Sequence, residues 1–210
     1  MNNNEEKERL DFILEHSREL FSRYGIRSIS MDDIARELGI SKKTLYQHVK
    51  NKADLLDRGF KKVQEDFIGA VNRVCSRGMN AIDELLEVSK CVNRELMKYN
   101  PATVFDLQKY YPEVFNNHVA EEKKYTYRMI LENLKKGISE GIYREDQDIE
   151  LVANFYIQKV ESIHDEKFLR QANITMEEIF EVMFENHIRG ISNQKGIAYF
   201  EQRKQQLKFE

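Results

Sequence analysis

The stretch that decides the fold is MDDIARELGISKKTLYQHVKNKADLL, residues 31–56. Two short helical patterns flank Gly39. The first turns Ile34, Ala35 and Leu38 inward, and the second only Leu45 and Val49. Ser30 stands before the first pattern with Asp33 three residues on, the spacing of a capping box with Asp in place of Glu or Gln. Ser41 stands before the second pattern, and Asn51 opens a further helix. From Lys42 to His48, six of seven residues carry hydrogen-bonding side chains. A helix that only closed a core would spend those positions on Leu and Ile.

Upstream, the pattern predicts a helix over 6–24, with Leu10, Ile13, Leu14, Ser17, Leu20, Phe21 and Tyr24 along one buried stripe. Gly25 ends it as a left-handed cap. Downstream, a long helix from Lys52 towards Arg77 turns Leu55, Leu56, Phe60, Val63, Phe67, Val71 and Val74 inward. Further helices are expected near 80–99, 102–110, 112–140, 148–166 and 175–192, with Pro101 and Pro112 in first turns, where a missing N–H costs nothing. The tail from Asn193 carries a short, less defined pattern. Only 2 prolines and 9 glycines interrupt 210 residues, which favours long helices over a turn-rich β fold. The fold class is all-α, with a helix-turn-helix domain at 1–52 and a helical domain at 53–210.

Hydrophobic content of 41% and charged content of 33% describe a globular chain. No apolar run approaches the ~18 residues of a membrane span. The polar, acidic N-terminus lacks an export signal, so a cytoplasmic location with Cys75 and Cys91 as free thiols is expected. Net charge is −3, yet residues 1–62 carry 13 basic against 11 acidic side chains, and the balance from Arg36 onward is basic. No nucleophile–base pair or phosphate-cradling Gly loop is legible, which argues against an enzyme. The five histidines share no metal-ligand spacing with the cysteines, so neither metal nor cofactor is expected.

Two helices joined by a tight Gly-containing turn behind a packing helix form a helix-turn-helix, which lays its second helix in the major groove of duplex DNA. That role accounts for the polar run. Lys42, Lys43 and Gln47 suit base edges, while Thr44, Tyr46, His48 and Lys52 suit phosphate oxygens. Ser30 and Ser41 stand at helix N-termini, where amide donors and the dipole also favour a phosphate. A plain solvated helix hairpin is the alternative, but the caps, the turn Gly and the four inward side chains agree with the motif.

The segment IARELGISKKTLYQHVKNKADLL resembles the DNA-binding segment of the tetracycline-repressor (TetR) family of bacterial transcription regulators. The matching features are Ile34-Ala35, Leu38-Gly39-Ile40-Ser41, Thr44-Leu45-Tyr46, His48, Asn51-Lys52 and Leu55-Leu56. The resemblance implies a homodimeric, ligand-responsive regulator, by family habit a repressor, that binds a palindromic operator. It implies phosphate contacts from Thr44, Tyr46, His48 and Lys52, with Lys42, Lys43 and Gln47 varying with operator sequence. Asp32 and Asp33 stand where some relatives carry a basic base-reading residue, which argues against base contact from that helix. The acidic N-terminal arm argues against minor-groove contact.

In the remainder, Ile149, Val152, Ala153, Tyr156, Val160 and Ile163 repeat at the spacing of a packed seam, with Leu151 and Phe155 on a second face. The last long pattern carries Met176, Ile179, Phe180, Met183, Phe184, His187, Ile188 and Ile191. Two such helices suit a four-helix bundle formed with a second copy, with Val152, Tyr156, Ile163, Ile179, Met183, Phe184, His187 and Ile188 as the expected interface. The same stripes would also serve a core within one chain. Seven aromatics fall between Tyr99 and Tyr127. Phe105, Tyr110, Tyr111 and Phe115, with Met129, suit a pocket for a small, largely apolar effector, or equally a filled core.

Overall fold

The structure is a computed structural model that describes residues 3–96, 100–163 and 176–206. Within these the chain forms ten helices: α1 (Asn3–Tyr24), α2 (Met31–Glu37), α3 (Lys42–His48), α4 (Lys52–Cys75), α5 (Ala81–Leu96), α6 (Pro101–Tyr110), α7 (Pro112–Ser139), α8 (Ile149–Ile163), α9 (Met176–Ile191) and α10 (Gln194–Gln206). No strand occurs among the described residues; one isolated antiparallel bridge joins Tyr143 and Ser192. The fold is all-α. No described helix is long and apolar enough to cross a membrane.

The chain divides into two compact units, Met1–Ile68 with Glu95–Glu122, and Gly69–Arg94 with Lys123–Glu210. A cut at 52/53 therefore follows chain order rather than the division in space. The first unit closes around Ile13, Leu14, Leu20 and Phe21 of α1, Ile26, Met31, Ile34 and Ala35, then Leu45, Val49, Leu55 and Leu56. The α1 stripe is the expected one except at its last member. Tyr24 lies outside, 52% exposed.

α6 completes this core from a distant part of the chain. Leu107 is buried in it, and Tyr111, Val114 and Phe115 pack against it. Asn100 caps α6 by accepting from the Ala102 N–H, and its amide donates to the Ser22 carbonyl at 2.8 Å. Thr103 Oγ1 donates to the Phe21 carbonyl at 3.1 Å. The Asn100 bond satisfies a carbonyl in the last turn of α1, and the Thr103 bond adds to the one that the Phe21 carbonyl already accepts from the Gly25 N–H. Gly25 then leaves the helix at φ +82°, and the Arg27 N–H donates to Asp106 Oδ2 at 2.9 Å.

The second unit buries Val71 and Val74, Ile82, Leu85 and Leu86 of α5, Ile130 and Leu134 of α7, Tyr156 of α8, and Phe184 and Ile188 of α9. A polar set is enclosed with them. The Asn133 amide donates to the Ala81 carbonyl at 2.9 Å, Tyr143 OH donates to Asn133 Oδ1 at 3.2 Å, and Lys136 pairs with Glu84 at 2.6 Å. Gly137 lets the Tyr143 ring lie directly on α7, since a Cβ there would stand 2.0 Å from a ring carbon. The tail with the poorly defined pattern is helix α10. It is held by Arg203 and Tyr199 on Asp83 and by the buried ring of Phe200.

Candidate nucleic-acid interface

Local chemistry shapes the α2–α3 turn. Ser30 Oγ accepts from the Asp33 N–H, and Asp33 Oδ2 accepts in return from the Ser30 N–H at 2.9 Å, which completes the capping box. These bonds hold the Asp33 carboxyl below its usual range, with Arg36 adding to the effect. At the other end of α2, Gly39 sits at φ +63°. Its N–H bonds the Arg36 carbonyl while Ile40 N–H bonds Ala35, so two carbonyls that the helix leaves open are satisfied. Ser41 begins α3 by accepting from the Thr44 N–H at 3.0 Å.

α3 is held by two anchors, Leu45 and Val49, 0% and 1% exposed. The opposite arc carries Lys42, Lys43, Tyr46 and Gln47, all exposed, with Thr44 and His48 at its edge, partly covered. A seven-residue helix with one buried residue, a buried C-cap and four exposed polar side chains can do little for the core. It is built to present side chains.

Three expected roles change. The hydroxyls of Ser30 and Ser41 are committed to caps, and Ser41 Oγ also shares a hydrogen bond with Thr44 Oγ1 at 2.7 Å. Lys52 points inward: its ammonium donates to the carbonyls of Ile26 and Ile29 and lies 5.5 Å from the centre of the Phe21 ring. Burial lowers its pKa. Asp32, which the sequence argued against, holds the Lys42 ammonium at 2.7 Å across the turn, and this bond raises the lysine's pKa.

Residues 13–58 match the family described as bacterial regulatory proteins, tetR family. Over 74% of its length the chain is 28% identical to the HTH-type transcriptional regulator SAS2464 of Staphylococcus aureus, 96% of which is covered. It is 25% identical to the HTH-type transcriptional repressor KstR2 of Rhodococcus jostii, over 68% of this chain and 72% of that protein. The fold matches the regulator FadR of Bacillus subtilis, solved with stearoyl-CoA, at a TM-score of 0.65 and 19% identity, covering 85% of this chain and 97% of that one. Residues 13–58 are a tetR-family DNA-binding domain.

The remaining expected sites fall as follows. Phe105 and Tyr110 lie on the surface, 50% and 38% exposed, where the Lys109 ammonium stands over both rings. Tyr111 and Phe115 pack against the core of the first unit, and Met129 belongs to the second. The four aromatics do not line one cavity, because the two on α6 lie on the surface while Tyr111 at its C-cap and Phe115 on α7 pack inward. Tyr99 lies outside the described residues. Of the expected dimer residues, Tyr156, Met183, Phe184, His187 and Ile188 are buried within a single chain, and Val152 is half-buried. The side chains of Ile163 and Ile179 lie outside the described residues. Among the described side chains of α8 and α9, the large apolar ones left exposed are Leu151, Phe155 and Val182. Sequence spacing marked Leu151 and Phe155 as a second face, but Val182, between Glu181 and Met183, gave no such signal.

Proposed function

We propose that this regulator is a homodimeric, ligand-responsive repressor that binds a palindromic operator through α3. The observation that carries the reading is the exposed arc of Lys42, Lys43, Tyr46 and Gln47, fixed by two buried anchors and a turn capped at both ends. Lys43 and Gln47 face outward and make no ion pair or hydrogen bond among the described residues, so they are available to base edges and phosphates.

The second copy is assigned to Leu151, Phe155 and Val182, which are 51%, 59% and 62% exposed. A large apolar side chain stranded on two neighbouring helices favours a partner surface of the same kind, and a two-fold pairing of α8 and α9 closes a four-helix bundle. The effector is a small, largely apolar organic molecule; one protein of the same fold is solved with stearoyl-CoA, whose acyl chain is of that character. Of the residues expected around it, Met129, half-buried on α7, stays a candidate.

The test is selection of bound sequences from a random duplex pool with the full-length protein. An inverted repeat with half-sites about 34–36 Å apart supports the reading. Recovery of unenriched sequence at low and moderate salt overturns it. A ligand found by thermal shift should bind more weakly once operator is bound, by the same factor by which it weakens operator binding.

A further inference from the structure

Asp32 is the second residue of α2, and its carboxylate lies 2.7 Å from the ammonium of Lys42, the first residue of α3. Its neighbour Asp33 is occupied by Ser30 and Arg36. Asp32 has no such local task, and among the described residues its ion pair is with Lys42. The two side chains are 61% and 58% exposed, so the pair stands on the surface that carries Lys43, Tyr46 and Gln47. An exposed ion pair contributes little to folding. A carboxylate at the edge of a DNA-binding surface also repels phosphates, so its presence there calls for a ligand that donates to it.

Whatever base edge Lys42 reaches, Asp32 reaches as well, because the two atoms are in contact. In the major groove, a G·C pair presents guanine N7 and O6 as acceptors and the cytosine N4 amino group as a donor. O6 and N4 are hydrogen-bonded to each other and so stand about 2.9 Å apart. That spacing matches the 2.7 Å between the ammonium and the carboxylate. An A·T pair offers a donor and an acceptor at similar spacing, but the carboxylate then faces adenine N7 and the ammonium meets the thymine methyl. With guanine on the lysine side, both purine acceptors face the cation and the carboxylate meets only an amino group.

We propose that Asp32 and Lys42 together read one G·C pair in each half-site, Lys42 donating to guanine and Asp32 accepting from the N4 amino group of its cytosine. This rests on the operator-binding reading above and adds a specificity-determining residue from α2. The carboxylate withholds the lysine from phosphates on every other sequence and releases nothing when the matching pair arrives. Asp32 thus lowers affinity for duplex in general while raising discrimination at one position.

The experiment repeats the random-duplex selection with wild type, Asp32→Ala, Asp32→Asn, Lys42→Ala and the double Asp32→Ala, Lys42→Ala variant, each full-length and checked for helix content. Both Asp32 variants should bind unselected duplex more tightly than wild type. They should also lose about tenfold in discrimination at a single G·C position of each half-site. Lys42→Ala should lose preference at that same position, and the double variant should lose no more there than either single change. Should Asp32→Ala fail to fold, Asp32→Asn carries the same comparison. Tighter binding by the Asp32 variants with every base preference intact overturns the proposal, as does loss of preference at different positions in the Asp32 and Lys42 variants. A wild type that enriches no sequence overturns the operator reading itself, and this inference with it.

Discussion

At the level of single residues, Lys52 illustrates how two rigid carbonyls can claim a cation. Its ammonium bonds Ile26 and Ile29 in the turn between α1 and α2, and its stem passes the Phe21 ring. Lys52→Met keeps the stem and removes both bonds. It should cost about 1–3 kcal/mol of stability in denaturant unfolding, and the salt dependence of duplex binding should stay as in wild type. A slope flatter by roughly one unit would show a phosphate contact instead. His187 supplies a second test. Burial and, less strongly, the charge of Lys159 push its pKa down to about 4 from 6.5, so the folded chain holds the ring neutral against Tyr156. Between those two values the unfolded chain binds a proton that the folded chain refuses. Stability is therefore full above about pH 6.5 and falls by up to about 3 kcal/mol as the pH drops towards 4. His187→Gln should flatten the difference between pH 7 and pH 4 in unfolding experiments, and an unchanged pH dependence would remove the histidine from the account.

Among the helices, the elements that local chemistry specifies were legible. Ser30 with Asp33, Gly39, Ser41, Asn51 and Pro101 each act within four residues, and each does in the structure what its spacing predicted. How helices dock was not legible in the same way. α6 belongs to the same compact unit as the helix-turn-helix because Leu107, Asn100 and Asp106 meet partners some 80 residues earlier. Gly137 is the sharpest case. In sequence it is an interruption within α7, and in space it is the floor on which Tyr143 lies. Gly137→Ala places a methyl group inside the ring, and either the turn at 140–143 or the ring must move. Overpacking of this kind costs about 1–3 kcal/mol or more, despite the gain in helix propensity. Equal or raised thermal stability of the variant would mean that Tyr143 is free to leave α7.

For the whole molecule, the question is which apolar surface a second copy covers. Phe155 is 59% exposed and Phe184 3%, so the same kind of substitution at each has different consequences. Phe155→Asp should keep the helix content, sediment as a monomer at micromolar concentration, and lose tight operator binding while still binding duplex weakly at low salt. Phe184→Asp should instead unfold the chain, since it buries a charge without a partner. A Phe155→Asp variant that remains dimeric would place the interface elsewhere.

The sequence by itself determined an all-α chain, the ends of most helices, and a helix-turn-helix whose second helix, α3, is polar. Those features depend on backbone hydrogen bonds and side chains close together along the chain, so spacing alone reveals them. Tertiary structure decided that Lys52 turns inward, that Asp32 meets Lys42, that the aromatics at 105–115 split between surface and core, and that Met183, Phe184 and Ile188 serve one chain's interior. Periodicity states which residues share a face. What that face meets depends on chain that is distant in sequence, and only packing brings it there.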